Sequence, residues 1–103
     1  MHALHTLNLG ATGVQDLSPL ASLQTLTCLH IGWCLRLTHD CLRPFKHSLC
    51  LRKLCAEKIA NDSWLPQMGA LESLVELNVC GSRLTDVTPL QALTALTDLH
   101  VGG

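Results

Sequence analysis

LHTLNLGATGVQDLSPLASL, residues 4–23, carries leucine at positions 4, 7, 9, 17, 20 and 23. Leu7 and Leu9 are two apart, the spacing of side chains on one face of a strand. Leu17, Leu20 and Leu23 then step by threes, as in a tight helical turn. LVELNVCGSRLTDVTPLQAL, residues 74–93, repeats the arrangement, and Val14–Leu20 aligns with Leu84–Leu90 without a gap. One short strand followed by one tight return is a unit too small to bury its own leucines. Repetition is the physical remedy, because stacked units bury each other.

The rest of the chain supplies that repetition. The pattern L-x-x-L-x-apolar starts at Leu4, Leu26, Leu51, Leu74 and Leu96, a spacing of 22–25 residues. A fixed period of this length marks a solenoid. Each coil is expected to point alternate strand residues inward and then run back along the outer side in 3-10 or short helical turns. A fully buried leucine contributes roughly 1.5–3 kcal/mol, so several per coil offset much of the ordering entropy.

The pattern resembles that of leucine-rich-repeat proteins over essentially the whole chain. The resemblance implies an α/β solenoid: a horseshoe segment with a parallel concave β-sheet of five strands and short helical or 3-10 segments on the convex side. Residues 1–103 are read as one such domain, its last repeat truncated. In this family asparagine usually stands three residues after the last inward strand position and bonds the backbone of adjacent coils. The equivalents here are Thr12, Cys34, Ile59 and Ser82. Thr, Cys and Ser can still donate to a carbonyl. Ile59 cannot, so the ladder is expected to break in the third coil, where Ala56 also replaces a larger apolar residue.

The convex segments of the first and fourth coils, with Ser18-Pro19 and Thr88-Pro89, read as an N-cap followed by proline at the first helical position. Their D-(L/V)-(S/T)-P-L motif resembles the internalin and protein-phosphatase regulatory-subunit class. Cys34 to Leu42 resembles the cysteine-containing class of F-box substrate receptors, with Thr38 as the cap of a longer helix. The mixture is similar in style to protozoan (trypanosomatid) leucine-rich-repeat proteins. No capping unit is legible before the first strand or after Val101, which reads as a fragment of a longer array or as open ends that pair.

Composition agrees with an aliphatic stack. Apolar residues make up 48% of the chain and aromatics 3%, leaving Trp33, Phe45 and Trp64 as the large wedges. No apolar run is long enough to span a membrane, and the N-terminus lacks the pattern of a signal peptide. Six cysteines in a short chain suggest a disulfide framework, but such frameworks serve proteins without a core. The thiols are therefore read as free, in a reducing intracellular (cytoplasmic or nuclear) setting.

Charge is uneven within a net of −1. Arg36, Arg43, Lys46, Arg52, Lys53 and Lys58 cluster beside only Asp40 and Glu57, whereas Glu72, Glu76, Asp86 and Asp98 face Arg83 alone. The basic residues are spread around the coil and no aromatics interleave with them, which disfavours nucleic acid. A solvated surface or an acidic protein partner fits better.

Outward strand residues form the concave face, the surface on which a partner is expected. The candidate contacts are His5, Asn8, Cys28, His30, Trp33, Arg52, Lys53, Cys55, Glu76, Asn78, Asp98 and His100. Trp33 lies at the rim as a candidate anchor, since tryptophan is enriched at binding hot spots. His30, Cys55 and Asn78 stand side by side, a thiol-protease set by residue type. A thiolate nucleophile also needs a low pKa, an oxyanion pocket and an oriented base, and an open sheet offers none. Cys28, His30 and Cys55 converge as soft metal ligands, but zinc wants four and no C-x-x-C pair is present. Cys34, Cys41 and Cys50 read as small interior or corner residues.

The sequence therefore points to a non-catalytic protein–protein interaction module without metal or cofactor. The alternatives are assembly through the solenoid ends and a substrate-receptor role in a ubiquitin ligase.

Overall fold

The computed structural model describes residues 5–17, 20, 25–37, 42, 50–60, 62–69, 71–85 and 88–101. Ser18, Pro19, Thr38, Cys41, Arg43, Phe45 and Lys46 lie outside these residues.

Five strands, β1 (Thr6–Asn8), β2 (Cys28–His30), β3 (Lys53–Cys55), β4 (Glu76–Asn78) and β5 (Asp98–His100), form one parallel sheet in chain order. Register is constant. Leu7, Leu29, Leu54, Leu77 and Leu99 stand opposite one another from strand to strand. The period of the sequence motif is thus the register of the sheet. The inward leucines of β2, β3 and β4 are fully buried.

Each coil carries the same backbone rungs beyond the strands. Leu9, Ile31, Ala56 and Val79 donate their N–H groups to His30, Cys55, Asn78 and His100, each at 2.8 Å. One step further, Ala11, Trp33 and Lys58 donate to Gly32, Glu57 and Cys80 at 2.9–3.0 Å. These corner residues and Gly81 all have left-handed backbone, with φ of 60°, 64°, 70° and 73° in coil order. The corner is one conformation repeated four times, and only the fourth coil fills it with the residue that adopts it at least cost.

The steps of three on the convex side have a direct cause. The N–H of Leu71 bonds the carbonyl of Met68, and that of Leu74 bonds Leu71. Leu93 and Leu96 repeat the arrangement from Leu90, and Leu20 bonds Leu17. Such i to i−3 bonds place every third side chain on the same face, and that face is the core. The third coil adds a 3-10 turn at Asp62–Trp64 and the short helix α1 (Leu65–Met68). The fourth has a 3-10 segment at Thr88–Ala92. Thr88 belongs to that segment instead of preceding it as a cap, a shift of one residue that a tighter i to i−3 helix accommodates.

Leu17, Leu42, Leu51, Trp64, Met68 and Leu90 join the strand leucines in one continuous core, in which no described polar or charged residue is buried. Among the described residues no helix is long and apolar enough to cross a membrane.

The concave face and its rim as the candidate functional site

The strand pleat sends the residues flanking each inward leucine to the other face of the sheet. They form two columns, Thr6–Cys28–Lys53–Glu76–Asp98 and Asn8–His30–Cys55–Asn78–His100. At about 4.8 Å per strand the columns extend roughly 20 Å. Nine of the ten residues are exposed or half-buried. Cys55 is the exception, at 5% exposure in the middle strand.

Several of these side chains also serve the fold. Asn8 Oδ1 accepts a hydrogen bond from the Gly10 N–H at 2.9 Å, and Asn78 Oδ1 accepts one from Cys80 at 3.0 Å. Both are side-chain turns spanning two residues that hold the start of the corner, leaving the amide NH2 groups as donors. His5 Nδ1 lies 3.0 Å from the Thr25 carbonyl and donates to it. Lys53 Nζ and Glu76 Oε2 pair at 3.3 Å across neighbouring strands, and this contact raises the lysine pKa. Arg52 precedes β3 and is exposed.

Cys28 Sγ meets His30 Nε2 at 3.2 Å. That contact brings together two of the three residues weighed as metal ligands, Cys28 and His30, yet the thiol chemistry runs the other way. Burial pushes the Cys28 thiol up, against an opposing effect of Lys53. Burial likewise raises Cys55 to about 11. Both therefore stay protonated and poorly nucleophilic at neutral pH. Among the described residues no three His, Cys, Asp or Glu side chains are arranged to hold a metal ion. The described cysteines, at 28, 34, 50, 55 and 80, are free thiols.

The rim holds what sequence reasoning saw only in part. Trp33 is 53% exposed on its left-handed backbone. The Lys58 ammonium lies over its ring, 5.5 Å from the centroid. The Lys58 stem runs against Gly81, where an added Cβ would fall 2.5 Å from Lys58 Cδ. Leu35, next along the corner, is 73% exposed. Of this group only Trp33 stood out from sequence. The signal for the others was Gly81, whose position marks a positive-φ row to which Trp33 and Lys58 also belong.

No family model and no curated protein sequence matches the chain. Solved structures do. An internalin (inlF) from Listeria monocytogenes superposes with a TM-score of 0.62 at 23% identity, over 96% of this chain and 35% of its own. An internalin C2 (inlC2) from the same organism gives 0.56 at 20% identity, over 95% of this chain and 51% of its own. The chain folds as a leucine-rich-repeat solenoid. It spans about a third to a half of the length of these two neighbours. The leucine-rich-repeat assignment accounts for the constant register, the repeated corner and the outward columns together.

Proposed function

We propose that this leucine-rich-repeat solenoid is a non-catalytic protein-recognition module that engages its partner through the concave columns and their rim. The observation that carries the reading is the open face of a parallel sheet. Parallel sheets are ordinarily covered on both sides, yet here Cys28, His30, Lys53, Glu76 and Asn78 on the inner strands stay partly exposed. A rigid, regularly spaced array of donors, acceptors and charges suits a macromolecular surface better than a small molecule, which needs a concave pocket. The raised pKa values of Cys28 and Cys55 speak against a thiolate nucleophile at these two positions. Fold by itself does not assign function, so the reading rests on this surface. Within the class we read the first and fourth coils as internalin-like on their D-(L/V)-(S/T)-P-L motif, and the second as the cysteine-containing type.

The test is a crosslinked pull-down from source-cell extract, comparing the wild type with a variant carrying His30→Ala, Arg52→Glu and Asn78→Ala. The two must first share a circular dichroism spectrum. A protein captured by the wild type alone supports the reading, and equal capture sinks it.

A further inference from the structure

We infer that the Trp33–Lys58 rim is a docking ledge for an acidic protein segment that carries an apolar side chain. The inference rests on the recognition reading above and names the chemistry of one part of the partner.

Trp33 is where the argument begins. A left-handed backbone costs a non-glycine residue roughly 1–2 kcal/mol, and Gly81 shows that the same corner accepts glycine. The indole does not offset that cost by burial, since more than half of it faces solvent. Trp64, by contrast, is 2% exposed. The strained corner itself belongs to the fold, since Ala11 and Lys58 share it; what sets Trp33 apart is a large aromatic placed there and left exposed. Leu35 stands beside it as a second exposed apolar knob.

Charge chooses the occupant. Lys58 lies over the indole, Arg36 follows Leu35 and is exposed, and exposed Arg83 occupies in the fourth coil the corner position that Leu35 holds in the second. The carboxylates nearby are turned to the protein. Asp62 accepts from the N–H and the hydroxyl of Thr85. Glu57 lies against Gly32, its Oε1 3.0 Å from where a Cβ there would be. Among the described residues the ledge then offers two exposed apolar groups and three cations, against the half-buried carboxylate of Glu57. An aliphatic or aromatic side chain flanked by carboxylates complements both. A nucleic-acid strand would call for a run of stacking aromatics, and among the described residues the ledge has one.

The experiment follows the indole N–H resonances of the 15N-labelled full chain, with buried Trp64 as internal control. Four probes are added: a short peptide alternating glutamate with leucine, a glutamate–serine peptide, a lysine–leucine peptide, and a single-stranded oligonucleotide. The glutamate–leucine peptide is expected to move the Trp33 resonance saturably and the lysine peptide to leave it unmoved. Lys58→Glu and Arg83→Glu should each weaken binding, and Trp33→Gly, followed through the backbone amide resonances of the rim because it lacks the reporter indole, should weaken it by roughly tenfold or more with no loss of melting temperature. The inference is overturned if no acidic peptide moves Trp33, if the lysine peptide or the oligonucleotide binds more tightly, or if Trp33→Gly still binds. The variant His30→Ala, Arg52→Glu, Asn78→Ala separates the two readings. Peptide binding should survive in it, whereas a silent ledge beside an intact concave-dependent pull-down sinks the ledge alone.

Discussion

The thiol of Cys34 donates a hydrogen bond to the backbone carbonyl of Leu9, 2.9 Å away on the preceding coil. Thr12 donates to the same carbonyl from its own coil at 2.7 Å. Ser82 plays the part of Cys34 two coils later, its hydroxyl reaching Ala56 O at 3.4 Å and accepting from the Ala60 N–H at 3.2 Å. Ile59, between them in sequence order, packs half-buried against the core and has no polar atom to offer. Cys34→Ala removes the donor from a fully buried site without adding bulk. It is expected to cost about 0.5–1.5 kcal/mol, with Cys34→Ser costing less. Urea unfolding midpoints check the order.

The two glycines of contrasting surroundings test how tightly the convex side packs. A Cβ on Gly69 would lie 2.8 Å from the carbonyl oxygen of Pro89, where α1 meets the 3-10 segment of the next coil. A backbone carbonyl cannot swing away, so Gly69→Ala should cost about 1–3 kcal/mol. Nothing lies within 4 Å of the corresponding point on Gly13. Gly13→Ala should be neutral or slightly stabilising, through reduced freedom of the unfolded chain. Thermal denaturation of both proteins decides the matter.

The two tryptophans should respond oppositely. Trp64→Ala empties the largest fully buried side chain of the core and should cost about 3–5 kcal/mol. Trp33→Gly should leave stability unchanged or raise it, because it removes left-handed strain from an exposed site. Acrylamide quenching gives an independent check: one emitting population should be accessible in the wild type and none in Trp33→Gly.

Stability should decline in alkaline solution through Cys55. Its thiol is raised from 9.0 to about 11 in the folded protein, chiefly by burial. Between these values the unfolded chain loses the proton while the folded chain keeps it, so unfolding becomes easier as pH rises. The contribution is fully present below pH 9 and is lost toward pH 11, at no more than about 1.4 kcal/mol per pH unit. Cys55→Ala should flatten that slope and leave the neutral-pH profile unchanged in shape. Denaturation midpoints measured across this interval would show it, and an identical slope in the variant would refute it.

Much of the architecture was legible because it depends on spacing alone. The motif starting at Leu4, Leu26, Leu51, Leu74 and Leu96 dictates which residues pair across the sheet, since each return of the motif places its strand in the same register whatever the length of the coil between. From that follow both concave columns and the adjacency of Lys53 and Glu76, while the reading of Thr12, Cys34 and Ser82 as stand-ins for ladder asparagines came from the resemblance to the repeat family. The gap at Ile59 was legible too, from side-chain chemistry. What the sequence could not decide depends on neighbours brought in by stacking. Trp33 and Trp64 are the same residue type in the same chain, yet one turns outward on a left-handed corner and the other fills the core. Cys55 shares a column with exposed Asn8 and His100 but lies on the central strand, with two strands on either side, and its burial and raised pKa follow from that position. Asn8, Asn78 and His5 look like free contact groups in the sequence. In the folded chain each spends one polar atom on backbone: Asn8 and Asn78 on the N–H two residues along their own coil, and His5 on the Thr25 carbonyl, which only the folded coil brings within reach. The cation at Trp33 is of the same kind, because Lys58 reaches the indole only when the third coil lies on the second.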